Sequence, residues 1–235
     1  MAGKKRTPEK TIVPAKITVC KNGPLRVSGS VPLLDLEIAE DKAGFAHHWS
    51  EKRRYPAQEE YILCRCGLTR NSPFCDKSHE KAGFVGAFPS PSKDPYIKGA
   101  ELIEGPELAL ADNKKLCVHA RFCLRSGGIR NLIRDSEVAE AHDIAIEEAG
   151  DCPSGRLVIF SREKRKLIEP EFEPSIAVTE NPSQNEHGPL WIRGKIPIED
   201  PNGALFEQRN RVTLCRCGKS ENKPFCDGSH LKEKQ

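Results

Sequence analysis

The chain has 235 residues, enough for one large domain or for two to three small ones. Apolar residues make up 37% and aromatic residues 6%, so several small, loop-rich modules are favoured over one large hydrophobic domain. The net charge of +3 gives no indication of a nucleic-acid partner, and the sequence has neither a run of 18 apolar residues nor a secretory signal. We therefore expect a cytoplasmic protein with no membrane span. Residues 1–10 are polar and basic and are expected to form a solvated tail.

Residues 23–35 predict two strands separated by a proline bend, because apolar and β-branched residues alternate along them. The pattern recurs at residues 188–200, where Gly188 corresponds to Gly23, an offset of 165 residues. The matching apolar pairs are Val27 and Ile192, Val31 and Ile196, and Leu33 and Ile198.

Ten cysteines without a secretory signal favour metal ligands over disulfides. The first ligand motif has the spacing C-x-C-x8-C-x3-H, at Cys64, Cys66, Cys75 and His79. Residues two apart on a strand share a face, as do residues four apart in a helical turn, so both pairs of side chains can converge. Three thiolates and one imidazole suit either zinc or an iron–sulfur cluster, although C-x-C is tight for structural zinc. Cys20 lies outside the motif and is expected to be a structural thiol.

The central segment, residues 96–170, differs from the flanking segments in its predicted elements and in the spacing of its cysteines. Strands are predicted at residues 108–110 and 157–160, and an acidic helix at residues 135–149, capped by Asp135 or Ser136 and ended at Gly150. Its cysteines are Cys117, Cys123 and Cys152, the last followed by Pro153.

The spacing of these three cysteines resembles the divergent mono-cluster ferredoxin group, in which the second cysteine, here Ala120, is often missing. The resemblance implies a [3Fe–4S] cluster, or a [4Fe–4S] cluster with His119 or water as fourth ligand. The alternative is a ferredoxin-like module that has lost its cluster and keeps buried thiols.

The second ligand motif repeats the first at Cys215, Cys217, Cys226 and His230. With Ser220, Pro224, Asp227, Gly228 and Ser229 it matches C-x-C-x2-[ST]-x3-P-x-C-D-G-[SAT]-H at every position, and it resembles the CDGSH iron–sulfur domain family. The first copy departs once, with Lys77 in place of the glycine. The resemblance implies a [2Fe–2S] cluster in each copy, with the three cysteines and the histidine as ligands.

The two motif copies are 151 residues apart, from Cys64 to Cys215, whereas the predicted strands are 165 apart. The difference of 14 residues places an insertion in the first half, around residues 44–55. His47, His48 and Trp49 lie there, and we expect a loop that packs its tryptophan. Single-motif members of the family form homodimers, so this chain is expected to be such a dimer fused into one polypeptide.

We therefore expect an α+β, mainly β fold, in which two CDGSH modules (residues 1–95 and 171–235) are related by an internal pseudo-twofold and share a β-sandwich. A small ferredoxin-like α/β insertion (residues 96–170) lies between them, and the protein is expected to be monomeric.

No G-x-S-x-G, phosphate loop or other catalytic pattern is present, so no catalytic residue and no enzyme activity is expected. The expected function is electron transfer or cluster transfer, with a redox or cluster-acceptor protein as partner. The alternatives are a structural zinc module that mediates protein interactions and the electron-input subunit of an oxidoreductase. The basic residues around the motifs are expected to form a solvated rim that can dock an acidic partner: Arg65, Arg70, Lys77, Lys81, Arg209, Arg211, Arg216, Lys219 and Lys223.

Overall fold

The computed structural model describes residues 13–86 and 95–234 of the chain, so the expected tail at residues 1–10 lies outside it. In the described residues the strands are β1 (Lys16–Val19), β2 (Leu25–Ser28), β3 (Leu33–Glu40), β4 (Ala46–Arg54), β5 (Glu60–Leu63), β6 (Glu101–Glu104), β7 (Leu108–Asp112), β8 (Leu157–Ser161), β9 (Lys166–Ile168), β10 (Ser175–Asn181), β11 (Glu186–Arg193), β12 (Ile198–Glu199) and β13 (Arg211–Leu214). The α-helices are α1 (Ser78–Lys81), α2 (Ile129–Arg134) and α3 (Ala139–Asp151). The fold is mainly β with few helices, as expected.

Two of the three sheets in the described part of the chain combine strands from its two halves. The first has the order β12-β1-β2-β5, and the second has the order β13-β11-β10-β3-β4. The short strand β12 pairs in parallel with β1, and β3 pairs in parallel with β10. The two parallel pairs have corresponding registers. Ile17 lies opposite Ile198 in the first sheet, and Ile176 lies opposite Leu33, the residue that corresponds to Ile198, in the second.

One hydrophobic core is shared by these two sheets. Alternate residues of the strands point into it, as the period of two in the sequence predicts. Leu63 and Leu214, which directly precede the two ligand motifs, are both fully buried there. Burial of a leucine side chain stabilises the fold by about 1.5–3 kcal/mol, so the strands that carry the motifs are firmly anchored.

The segment predicted as an insertion forms a strand, β4, and not the expected loop. It pairs with β3 at the edge of the second sheet. Trp49 packs against Phe122 and Trp191, with ring centroids 5.0 and 5.3 Å apart, and its indole nitrogen donates to the Asp151 carbonyl at 3.0 Å. The strand therefore joins the first half to the central segment.

The third sheet, in the central segment, is antiparallel with the order β6-β7-β8-β9. Strands β7 and β8 confirm the two predicted strands. Helices α2 and α3 share a core with this sheet, in which Leu110, Ile133, Ala145 and Ile159 are buried. Within the described residues, no helix is long and apolar enough to cross a bilayer.

The predicted bounds of the acidic helix were wrong. The helix α3 begins at Ala139 and extends past Gly150 to Asp151. The predicted cap, Ser136, is fully buried, and its hydroxyl accepts the backbone N–H groups of Glu107 at 3.0 Å and Leu108 at 3.2 Å. Because this hydroxyl is used to hold the strand β7, it does not cap the helix.

Candidate metal centres

The first cysteine pair follows directly after β5. Cys64 Sγ lies 3.5 Å from Cys66 Sγ, and both residues are buried. The returning chain is held beside the strand by two backbone hydrogen bonds, from Cys64 N to the Pro73 carbonyl at 2.8 Å and from Cys75 N to the Ile62 carbonyl at 3.0 Å. The third cysteine is thereby placed next to the first pair.

Cys75 and His79 form the second pair of the first copy, with Sγ and Nδ1 3.4 Å apart. Asp76 organises the turn between them, because its carboxylate accepts the N–H groups of Arg70 at 2.9 Å and Ser78 at 3.0 Å. These hydrogen bonds, the one from Arg70 first, hold the pKa of Asp76 well below its usual range.

The second copy repeats these contacts after β13. Cys215 Sγ lies 3.7 Å from Cys217 Sγ, and Cys226 Sγ lies 3.5 Å from His230 Nδ1. Asp227 accepts the N–H groups of Glu221 and Ser229 at 2.9 and 3.0 Å.

Burial raises the pKa of the metal-free Cys66 thiol to about 11 and that of Cys226 to about 12. The hydrogen bond with Cys217 instead lowers the pKa of Cys215 to about 6. Burial also lowers the pKa of His230 to about 4, so its imidazole is neutral near pH 7. Neutral imidazole is the form that binds a metal, whereas the thiols must lose protons when a metal binds.

The ligand spacings fit pairs that each bind one tetrahedral ion. With bond lengths of about 2.3 Å to sulfur and 2.0–2.1 Å to nitrogen, two sulfur ligands lie about 3.7 Å apart and a sulfur and a nitrogen about 3.6 Å. Each copy therefore offers a Cys–Cys pair and a Cys–His pair with the separations that two neighbouring tetrahedral ions require. In residues 13–86 and 95–234, no three His, Cys, Asp or Glu side chains are arranged to hold a single ion.

The two motif copies touch each other through their backbones. Cys66 and Cys217 form an isolated antiparallel bridge. Gly67 and Gly218, which follow these cysteines, have φ values of +77° and +80°. A Cβ atom on Gly67 would collide with the Cys217 carbonyl oxygen, and one on Gly218 would collide with the Cys66 carbonyl oxygen. Glycine is required at both positions by the backbone angle and by this close approach.

The three central cysteines line a common cavity of about 180 Å³, which His119 and Ala120 also line. Burial, with the nearby Cys152, raises the pKa of Cys123 to about 11. The cavity thus brings together the three thiols predicted from the sequence and Ala120, the position at which the second cysteine of the family pattern is missing.

Arg156 is a residue of the central site that the sequence analysis missed. Its Nη1 donates to Cys117 Sγ at 3.0 Å, and its Nε donates to the buried carboxylate of Asp112 at 2.6 Å. The pKa of Arg156 is raised, chiefly by the hydrogen bond to Asp112, so the guanidinium stays charged beside the thiol. A basic residue shortly after the Cys-Pro pair was the one available signal in the sequence.

The expectation of a solvated basic rim was wrong for Arg65, Arg211 and Arg209, which donate to backbone carbonyl oxygens within the protein. Arg65 and Arg211 are each 2% exposed. Arg65 donates to the carbonyl oxygens of Gly23 at 2.6 Å and Cys20 at 3.0 Å. Arg211 donates to the carbonyl oxygens of Gly150 at 3.2 Å and Cys152 at 3.1 Å, at the end of α3. Both guanidinium groups are buried because they satisfy carbonyl oxygens of a turn or a helix end.

Comparisons with known families agree with the ligand geometry. The family described as "Iron-binding zinc finger CDGSH type" matches residues 22–80 and 187–231, and the family described as "Divergent 4Fe-4S mono-cluster" matches residues 103–162. No curated protein and no solved structure matches the chain significantly. The two family matches indicate an iron-binding protein of the iron–sulfur class. In particular, the chain carries two CDGSH-type segments with a divergent mono-cluster segment between them.

Proposed function

We propose that the chain binds two [2Fe–2S] clusters, one in each motif copy, through three cysteines and one histidine. The observation that carries this proposal is the division of each ligand set into a Cys–Cys pair and a Cys–His pair, 3.4–3.7 Å within each pair. A two-iron cluster takes two protein ligands on each iron, which is the arrangement these pairs offer. A structural zinc ion needs all four ligands around one point.

The histidine sets the properties of such a site. A neutral imidazole replaces one thiolate and makes the cluster less negative, which raises its reduction potential. Protonation of the imidazole removes an iron ligand, so the site is suited to couple electrons to protons or to release its cluster. Burial keeps the His230 imidazole neutral near pH 7, which supports its role as a ligand and means that its protonation requires a pH near 4.

We also infer that the two halves are related by an internal pseudo-twofold, as in a fused dimer. The matching strand orders and registers of the first two sheets support it, since β3-β10-β11-β13 repeats the pattern of β12-β1-β2-β5. The backbone contact between the two motif copies, at Cys66 and Cys217, involves corresponding residues of the two halves, which also supports this symmetry. A single chain would then contain both halves of such a dimer.

The central segment is proposed to bind a third cluster, [3Fe–4S] or [4Fe–4S], through Cys117, Cys123 and Cys152. The common cavity that these residues line supports the proposal, as does the cation of Arg156 beside one of the thiols. His119 also lines the cavity and is the candidate for a fourth protein ligand.

The proposed role is electron transfer or cluster transfer in the cytoplasm, without an enzyme activity of its own. Lys77 and Lys81, beside the first copy, are exposed and would attract an acidic redox or cluster-acceptor protein. Electron transfer leaves the iron content of the protein unchanged, whereas donation to an apo-acceptor lowers it, so incubation with an apo-ferredoxin distinguishes the two roles.

Iron, acid-labile sulfide and zinc analysis of anaerobically purified protein tests the proposal. We expect about four irons from the two CDGSH-type sites and three or four more from the central site. Cys64→Ser should remove about two irons, whereas the matched control Cys20→Ser should remove none. Stoichiometric zinc without sulfide would contradict the proposal.

A further inference from the structure

The second CDGSH-type site is covered by the central segment, at the position where the two motif copies differ. Gly228 is buried and has a φ of +82°. A Cβ atom there would lie 2.8 Å from Cδ2 of His119 and 3.0 Å from the carbonyl oxygen of Cys117. Lys77, at the same position of the first copy, is exposed. Glycine is needed in the second copy because the central loop lies directly on it.

His119 connects the central site with the second copy. It lines the cavity of the three central cysteines and also a second cavity, of about 20 Å³, that His230 lines. Ala120 and Pro153 line this small cavity as well. The predicted ligand His230 and the central loop therefore line one narrow space.

Two arginine contacts fix this arrangement. Arg211, on the strand that leads to Cys215, has a side chain only 1% exposed and donates to the carbonyl oxygens of Cys152 at 3.1 Å and Leu157 at 3.0 Å. Arg121 makes a two-pronged ion pair with Glu186 on β11, at 3.1 and 2.9 Å. A buried arginine with several acceptors holds its partners rigidly, so the loop of Cys152 and the strand of Cys215 are tied together.

The second copy also contacts the first copy, through the backbone bridge between Cys66 and Cys217. The second copy is thus in contact with both of the other segments. It meets the central loop at Gly228 and the first motif at Cys217.

We propose that the three sites form an electron relay in which the second CDGSH-type site lies between the central site and the first site. The proposal rests on the function proposed above. A reduced one-electron carrier protein supplies the electron at one end, and an oxidised carrier accepts it at the other. In each step one site loses one electron and its neighbour gains it, and no bond forms or breaks and no proton moves. The exposed Lys77 makes the first site the end that faces an acidic carrier.

Magnetic coupling between clusters in the fully reduced, cluster-loaded protein tests the order. Paramagnetic neighbours accelerate each other's electron spin relaxation, and the EPR power at half-saturation measures this. The triple variant Cys117→Ala, Cys123→Ala, Cys152→Ala should lower that power severalfold for the second-copy signal and leave the first-copy signal almost unchanged. The signals are assigned with His79→Cys and His230→Cys, each of which alters the spectrum of one site. An equal change at both sites, or at neither, would overturn the relay.

A pair of matched variants tests the contact itself. Gly228→Lys gives the second copy the residue of the first and should displace His119, so relaxation of the second-copy signal should fall towards that of the triple variant. Lys77→Gly makes the reciprocal change at an exposed position and should not alter relaxation at the second site. An unchanged second-copy relaxation in Gly228→Lys would overturn the role of this contact.

Iron analysis separates failure of the relay from failure of the proposed function. A wild-type content of about four irons would mean that the central site holds no cluster, and it would overturn the relay while the two [2Fe–2S] sites stand. A full iron content without coupling at the second site would overturn the relay alone. Thermal unfolding of the metal-free variants shows whether Gly228→Lys folds.

Discussion

Arg156 Nη1 lies 3.0 Å from Cys117 Sγ, so a permanent cation is in hydrogen-bond contact with one of the three central thiols. Its other nitrogens bind Asp112, which is 1% exposed, at 2.6 and 2.9 Å. The guanidinium is therefore held in place and cannot turn away from the sulfur. Hydrogen bonds to cluster sulfurs and nearby positive charge both favour the reduced, more negative cluster.

Replacement of this cation should make the central cluster harder to reduce. For Arg156→Gln we expect the midpoint potential of that cluster to fall by about 60 mV, which is about 1.4 kcal/mol for one electron. An EPR-monitored redox titration measures it. The control is Arg134→Gln, because Arg134 is an exposed residue of α2 that donates a hydrogen bond to Asn131 at 3.3 Å. An unchanged potential would mean that Cys117 is not a ligand.

The histidine ligands should make both CDGSH-type clusters labile in acid. His79→Cys and His230→Cys should each slow the loss of one cluster in acid, because protonation of the imidazole removes an iron ligand. For the second cluster the loss should begin as the pH falls towards about 4, where burial holds the pKa of His230. Each variant should also lower the potential of its cluster, since an anionic ligand stabilises the oxidised state. Visible absorbance followed over time at each pH provides the measurement. If neither substitution slows bleaching, the histidines are not the labile ligands.

The two CDGSH-type clusters should also differ in potential. Lys77 places a cation next to Cys75, and Gly228 places none next to Cys226. The cation favours the reduced state, so Lys77→Gly should lower the potential of the first cluster by tens of millivolts, about 1 kcal/mol or less because the side chain is exposed. Lys98→Gly, on a distant exposed turn, is the control. A titration that finds no difference between wild type and Lys77→Gly argues against an electrostatic role for this lysine.

The contact between the two motif copies should tolerate no side chain. Gly67→Ala should lower the free energy of unfolding of the metal-free protein by about 2 kcal/mol more than Gly44→Ala. Both glycines have positive φ, +77° and +83°, but a Cβ atom on Gly44 would meet nothing within 4 Å. The control thus carries the backbone strain without the collision with Cys217. If denaturant titrations find the same loss of unfolding free energy for Gly67→Ala and Gly44→Ala, the contact between the two copies contributes little to stability.

The buried carboxylic acid of Glu148 should make the metal-free protein less stable as the pH rises. Glu148 is fully buried, and burial raises its pKa to about 8 even though Arg125 Nε lies 3.8 Å away. The folded state therefore binds a proton that the unfolded state releases above about pH 4.5. The resulting stability is present in full below that pH and is lost as the pH rises through about 8.

Glu148→Gln tests this linkage, because an amide keeps the shape of the protonated acid. Between pH 5 and 8 the wild type should lose about 3 kcal/mol of unfolding free energy from this group, and the variant should not. The matched control is Glu147→Gln, whose carboxylate is 59% exposed and lies 3.4 Å from the same arginine. Urea unfolding at several pH values measures the slope, and parallel slopes for Glu148→Gln and wild type would contradict the assignment.

The ligand sets were predictable from the sequence because they are local. Cys64 and Cys66 are two residues apart beside a strand, and Cys75 and His79 are four apart in one tight turn, so each pair is brought together within a few residues. The turn is not the helical one that the spacing predicts, because Lys77 has a φ of +67° and α1 begins only at Ser78. The strands at 23–35 and 188–200 were predictable too, because their alternating apolar residues reflect burial on one face.

Other features depended on residues that are far apart in the chain. Local spacing does not show that β3 and β12 pair with strands from the opposite half, nor that the buried Ser136 binds β7 and leaves α3 uncapped. The covering of Gly228 by His119 also brings together residues more than a hundred positions apart. Which of the sites touch is decided only by the packing of the sheets against the central segment. Such contacts depend on the shape and burial of segments that are far apart in the chain, so neither segment shows a periodic pattern that would predict them.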